Sequence, residues 1–367
     1  MTGPEIKEVF YLKAGKNLTE LAVELDRQNK AKRDLIVPTE NLSFGVGDDG
    51  PKLSVIGATQ NVETFGVKQV AHNQLSEYLH IPRRYYDRML TEYPELLEEN
   101  VNGWLGRRPG DSRMIRTLDG DVRAVLSQRY RRIDNYDVAS AALPVIAEMN
   151  GAEVVSTELT DTRMYIKVVT PKLQAEIKKG DIVQAGLILS NSEVGLGSVN
   201  VSPLIYRLVC TNGMVANDAS RIQKRHVGRL IEADEDYGIY RDETVAADDK
   251  AFLMKLEDSV RAAVEETRFA RIVEQMRDAT VSKMDARIVP KVVELAAKHF
   301  GLNDDESQGV LGHLIAGGDL SLYGLANAVT RQAQNVASYD RSTELETTGY
   351  EIITMAPSLW KRLTTAG

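Results

Sequence analysis

AGLILSNSEVGLGSVNVSPLIYRLVCTNGMVA, residues 185–216, holds two apolar strand-like runs around a Gly-rich polar bend. The first run begins at Ile182 and ends at Leu189; after SNSEVGLG the second climbs through Val199, Val201, Leu204, Ile205, Leu208 and Val209, long enough to cross a sheet. Pro203 cannot donate a ladder hydrogen bond, so it calls for a bulge or an edge position. Asn212-Gly213 offers the positive-φ pair of a tight turn, and Cys210 just before it reads as a packed strand thiol. The stretch therefore predicts a buried antiparallel pair. Its uncharged polar residues, Ser190, Asn191, Ser192, Asn200, Ser202, Thr211 and Asn212, suit turn chemistry; the alternative is a nucleotide pocket lined by Asn191, Ser192, Asn200 and Asn212.

Outward from this pair the chain keeps a strand-and-helix rhythm. AEVVSTEL and RMYIKVV precede it as two more strands, and RMIRTLDGDVRAVLS reads as a hairpin closed by Asp119-Gly120. Between hairpin and strands, Asp134 or Asn135 caps a helix that turns Val138, Ala142, Val145 and Ile146 inward. Further upstream, residues 17–32 form a helix that Asn17 can cap, and DLIVPTENLSFGV and KLSVIG are short strands. GVGDDG between those strands is a literal G-x-G-x-x-G, but Pro51 and a strand follow it and two Asp would repel a pyrophosphate, so it is a hairpin turn. Three short helices come next, the second and third opened by Pro82 and Pro94. His72 and His80, eight apart, have no carboxylate or Cys at metal spacing.

Beyond residue 240 the pattern is helical to the end, with a long apolar stripe over 245–280 that shifts near Thr267. The fold expected is α+β: a mostly antiparallel sheet with packed helices, followed by an all-helical C-terminal region. The expected divisions are an N-terminal region over 1–106, a central sheet domain over 107–240 and a helical region over 241–367.

With 367 residues and 43% hydrophobic content the chain can bury a sizeable core. No apolar run reaches the roughly 18 residues that span a bilayer, and MTGPEIKEVFYLKAGK lacks the apolar block of a signal peptide, so no membrane partner and a bacterial cytoplasmic location are expected. One Cys excludes an internal disulfide and a multi-thiolate metal site. The net charge of −8 is uneven: Arg107 to Arg132 carries eight Arg against three Asp, while Ile231 to Val260 carries ten acidic residues against three basic. Arg221 to Arg229 adds four more basic residues.

No P-loop, zinc-protease helix, Cys-x-x-Cys pair, nucleophile elbow or calcium loop is present, so the sequence offers no catalytic motif and calls for no cofactor or metal. The positive signal is a set of basic clusters, RRYYDR (83–88) and QRYRR (128–132) interleaved with Tyr, and RRPGDSRMIR (107–116) and RIQKRHVGR (221–229) beside them. Arg forks pair with phosphates and Tyr faces stack on unpaired bases, which suits single-stranded nucleic acid. Arg107, Arg108, Arg129, Arg131, Arg132, Lys224 and Arg225 are the candidate phosphate contacts, with Tyr85, Tyr86 and Tyr130 as stacking candidates. The competing reading is that these Arg pair with nearby carboxylates and these Tyr complete the core.

LSQRYRRIDNYDVASAALP, SNSEVGLGSVNVSPLIYRLVCTNGMV and LYGLANAVTR, in that order, resemble three signatures of a phage/plasmid-like family catalogued as a domain of unknown function, over residues 110–335. The likeness implies a mobile-element protein and carries over no catalytic residue. A hairpin, helix and meander with basic flanks is also similar in outline to single-strand annealing recombinases, at the level of fold. The function expected is single-stranded DNA binding by a homo-oligomer in recombination, annealing or replication. The rivals are a protein-interaction or structural factor of a mobile element, and an enzyme acting on nucleotides.

Overall fold

The computed structural model of the chain describes residues 17–57, 60–209, 212–216 and 242–365. It is α+β, with eleven strands among the described residues preceding a run of C-terminal helices. Helix α1 (Leu18–Ala31) starts where the sequence places it: Asn17 accepts from the Glu20 backbone and Glu20 returns the bond, a reciprocal capping box. Leu21 and Leu25 turn inward, while Leu18 and Val23 are exposed.

Strands β1 (Arg33–Pro38), β2 (Leu42–Gly47), β3 (Gly50–Ile56) and β4 (Val62–Val67) lead into helices α2 (Gln69–Tyr78), α3 (Arg83–Glu92) and α4 (Pro94–Leu105). Strands β5 (Ser112–Leu118) and β6 (Asp121–Ser127) follow. The GVGDDG turn closes the β2–β3 hairpin, with Gly47 opposite Gly50. Asp119 and Gly120, at φ 52° and 86°, close the β5–β6 hairpin with the two positive φ values such a turn needs. The six strands form one sheet in the order β1-β5-β6-β4-β3-β2. Since β5 and β6 are inserted between β1 and β4, the division expected at residue 106 runs through a single sheet.

After β6 the chain enters α5 (Asn135–Glu148) and then a second sheet, β7 (Glu153–Leu159), β8 (Met164–Lys178), β9 (Asp181–Asn191), β10 (Asn200–Arg207) and β11 (Asn212–Val215). Its order, β11-β10-β9-β8-β7, is an antiparallel meander, with both faces buried over much of β8, β9 and β10. Met164, Ile166, Val168, Leu187 and Leu189 pack on α1 and α5, while the alternate residues Tyr165, Val169 and Ile188 lie with Tyr339. Pro203 sits opposite Ala216 where β11 ends, its carbonyl accepting the Ala216 N–H.

Asn212-Gly213 is not a turn. Both residues belong to β11, opposite Arg207 and Tyr206, and the connection from β10 lies before them. The Asn212 side chain donates to Thr330 Oγ1 at 2.5 Å, an interior contact that competes with the local turn chemistry of Asn. The expectation for Cys210 lies outside the described residues.

The C-terminal helices are α6 (Asp242–Ala263), α7 (Glu266–Val281), α8 (Val289–Phe300), α9 (Asp304–Gly317), α10 (Leu322–Gln332), α11 (Tyr339–Ile353) and α12 (Pro357–Thr365). The apolar stripe over 245–280, which suits one long helix, is divided between two: Phe252, Leu256 and Val260 of α6 pack with α1, α5 and one face of the meander, whereas Phe269, Ile272, Val273 and Met276 of α7 join the core of the other C-terminal helices. The shift of the stripe near Thr267 marks this change of partner. Among the described residues no helix is long and apolar enough to cross a membrane.

Gly186 occupies the middle of β9, where a Cβ would come 2.2 Å from the Val168 carbonyl oxygen. Replacing Gly186 by Ala should destabilise the protein by about 1–3 kcal/mol, because backbone rather than a flexible side chain must move. A denaturation midpoint equal to wild type would refute this close approach.

Candidate nucleic-acid interface

The two sheets meet at the bend SNSEVGLG, where Val194 packs on Met114, Ala124, Leu126 and Tyr130 and a set of polar bonds surrounds this apolar patch. Arg116 on β5 is 1% exposed, with Nε donating to Asp34 at 2.7 Å, Nη2 to Asp134 at 2.7 Å, and Nη1 to the Glu193 carbonyl at 2.9 Å. Lys32 adds a second cation 2.5 Å from Asp134, and Arg123 pairs with the Glu193 carboxylate. The other oxygen of that carboxylate accepts the Asn135 N–H at 2.5 Å, a negative group at the positive end of α5. Asn191 donates to the Ile133 carbonyl and to Asn135 Oδ1, both at 2.9 Å. Gln74 of α2 donates to the Val194 carbonyl and accepts from Val125, tying the bend to β6.

This corrects two expectations. Asp134 stands at the first cap position of α5 but makes no side-chain cap bond, since Arg116 and Lys32 hold its carboxylate; Glu193, distant in sequence, takes over the helix end. Asn191, Ser192 and Asn212 are buried and do not line one pocket with Asn200: Asn191 bonds α5 while Asn212 bonds α10. Burial pushes the Asp134 carboxyl up, but Arg116 and then Lys32 outweigh it and hold it below the usual range.

The basic residues are sorted by the same contacts. Within QRYRR, Arg129 is exposed in the turn after β6. Tyr130 is buried, its hydroxyl on the Ser192 carbonyl. Arg131 reaches Asp249 at 2.8 Å and also pairs with Asp248, both on α6. Arg132 remains 57% exposed at 3.5 Å from Asp34. Tyr86 is fully buried and hydrogen-bonded to His72 at 2.9 Å, and burial pushes that imidazole down to about 4. Neither Tyr86 nor Tyr130 presents a face to a base; their apolar bodies fill cores instead. Tyr85, one residue along α3, is 46% exposed. Lys224 and Arg225 lie outside the described residues.

Four Arg share one end of the first sheet. Arg113 lies opposite Ser127 in the β5–β6 register, so the segment preceding β5 and the turn following β6 emerge side by side. Arg107 and Arg108 belong to the first and Arg129 to the second. Arg108 and Arg113 both lie on the Tyr78 ring, at 4.5 and 3.5 Å from its centroid, and the Tyr78 hydroxyl donates to Asp111 at 2.6 Å. Cation–π contact of this kind holds a guanidinium in place without neutralising it. Tyr78 has no basic neighbour in sequence, so only the return of the chain after α4 brings it into the cluster.

The fold and this cation-rich end define an α+β protein whose two sheets are locked by buried charge and which presents unneutralised Arg at one sheet end. The chain belongs to the family described as Domain of unknown function (DUF932), whose model matches residues 122–358. The match covers β6, the meander and the C-terminal helices into α12, and leaves β1–β5 and α1–α4 before it. No curated protein and no solved structure matches the chain.

Replacing Arg116 by Leu leaves Asp34 and Asp134 facing a buried gap and should cost about 3–5 kcal/mol. The Asp134 carboxyl is held below its unfolded value, so its stabilising contribution is present above about pH 4 and is lost as pH falls through the lowered folded value. Without the guanidinium the carboxyl rises, and the acid limb of the stability curve should flatten. Urea denaturation from about pH 3 to 7 measures both effects; an unchanged limb would show that Arg116 does not set it.

Proposed function

We propose that this protein binds single-stranded DNA along the Arg-rich end of its first sheet, without strong sequence preference. The observation that carries the reading is the convergence of Arg107, Arg108, Arg113 and Arg129, with Asp111 as the carboxylate bound among them. Exposed Arg that keep their charge release counterions from a phosphate backbone, and the Tyr78 ring limits the entropy they lose on binding. Arg131 is removed from the candidate contacts, because Asp248 and Asp249 neutralise it, and Arg132 is a secondary one beside Asp34.

The phage or plasmid setting rests on the likeness of the sequence signatures, and the role in recombination, annealing or replication on the outline likeness to single-strand annealing recombinases. Self-association is part of the same proposal, tested by sedimentation with and without DNA. The protein-interaction reading draws less support, since two acidic residues of α6 that could have faced a partner are engaged by Arg131.

Anisotropy titration of a labelled oligothymidylate at several salt concentrations tests the binding. Affinity should fall linearly on a log–log plot, by about 0.7 per phosphate contact. Changing Arg107, Arg108 and Arg129 together to Ala should lower that slope by about two, and Arg131→Ala should leave it unchanged while reducing stability. Wild-type protein that shows no salt-dependent binding would dispose of the proposal.

A further inference from the structure

Helix α4 is fixed on the edge strand of the first sheet by backbone mimicry. The Asn102 amide accepts from Phe44 N and donates to Phe44 O, both at 2.8 Å, and Glu98 accepts from Val46 N at 2.5 Å. Leu97, Val101 and Leu105 complete the buried side. These contacts dictate which side of α4 faces solvent, and that side carries Trp104, 46% exposed. It is one of two Trp in the chain. A single exposed aromatic is ordinary on a protein surface, so what matters is what stands beside it.

A shallow pocket of about 270 Å³ is lined by Glu99, Asn100, Gly103, Trp104 and Arg107. Arg107, one turn beyond Trp104, folds back so that Nη1 donates to the Gly103 carbonyl at 2.8 Å, and a Cβ at Gly103 would stand 3.2 Å from that nitrogen. Gly103 therefore gives the guanidinium room to lie close to α4 on the side of the indole. Arg108 follows directly and stacks on Tyr78 at the cation-rich end. At the other end of the pocket Glu99 repels phosphate.

We infer that Trp104 is the base-stacking platform of the interface, with the sugar–phosphate backbone of a DNA single strand running on its Arg107 side. The inference rests on the function proposed above and replaces Tyr86 and Tyr130, which are buried, with an exposed ring next to free positive charge. Stacking on an aromatic face tolerates every base, in keeping with binding that has little sequence preference. Glu99 gives the strand a polarity of approach: phosphates are attracted at one end of the pocket and excluded at the other.

The test uses the full chain with Trp360→Phe, so that Trp104 alone reports. Titration with oligothymidylate at low salt should quench its fluorescence. Trp104→Ala should weaken binding about five- to a hundredfold with an unchanged salt slope, and Trp104→Phe should recover part of the loss. An abasic oligonucleotide of equal length should bind wild type more weakly than oligothymidylate, and Trp104→Ala should no longer distinguish the two. Thermal melting of Trp104→Ala should match wild type, as the side chain lies outside the core. Binding by Trp104→Ala equal to wild type, or no quenching while wild type binds, overturns the inference and leaves the proposed function standing; no binding by wild type overturns both.

Discussion

The buried guanidinium of Arg116 is the constraint on which the relation of the two sheets depends. Taking a charge out of water costs several kcal/mol, and the loss is offset only when every donor finds a partner of good geometry. Here the partners come from three places: Asp34 on β1, Asp134 at the start of α5, and the Glu193 carbonyl in the bend after β9. The Asp34 pair lies within the first sheet, whereas a shift of the bend against β5 would leave the Arg116 Nη1 and the Glu193 carbonyl without each other in the interior. The bend SNSEVGLG is thus a clamp, in which Asn191, Ser192 and Glu193 bond neighbouring donors and acceptors.

A second set of buried polar contacts fixes the C-terminal helices on the meander. Lys167 on β8 meets Glu346 on α11 at 2.6 Å, both almost fully buried, with the Tyr339 ring beside the ammonium. Arg207 on β10 forks onto Asp181, whose second oxygen also accepts from Tyr323 of α10. Asn212 of β11 bonds Thr330 on the same helix. Apolar packing alone would allow α10 and α11 to slide along the sheet. These directional contacts select one placement, the use for which buried polar pairs are best suited.

The same economy of charge decides which cations remain available to a ligand. Arg116, Arg123 and Arg131 are consumed by Asp34, Asp134, Glu193, Asp248 and Asp249, all in or near the contact between sheets and helices. Arg107, Arg108 and Arg129 lie at the far end of the β5–β6 hairpin, where Asp111 is already engaged by Tyr78 and Arg113. A basic segment in sequence is therefore two populations in space, one structural and one exposed.

What the sequence determined by itself was whatever depends on a few neighbouring residues. The Asn17 cap, the Asp119-Gly120 turn, the helix start at Pro94 and the strand character of β7 to β10 are set by local backbone preference and side-chain type, and each forms where it was read, while Pro82 stands one residue before α3. Tertiary structure decided the rest, because the energies involved come from residues far apart in the chain. Arg116 and Asp34 are 82 positions apart, Arg131 and Asp249 are 118, and Asn212 and Thr330 are 118. No local pattern separates Arg129 from Arg131, or Tyr85 from Tyr86, yet one of each pair faces water and the other is consumed inside. The insertion of β5 and β6 into the first sheet and the exposure of Trp104 follow likewise from long-range pairing, in which desolvation and geometry outweigh the preferences of any single segment.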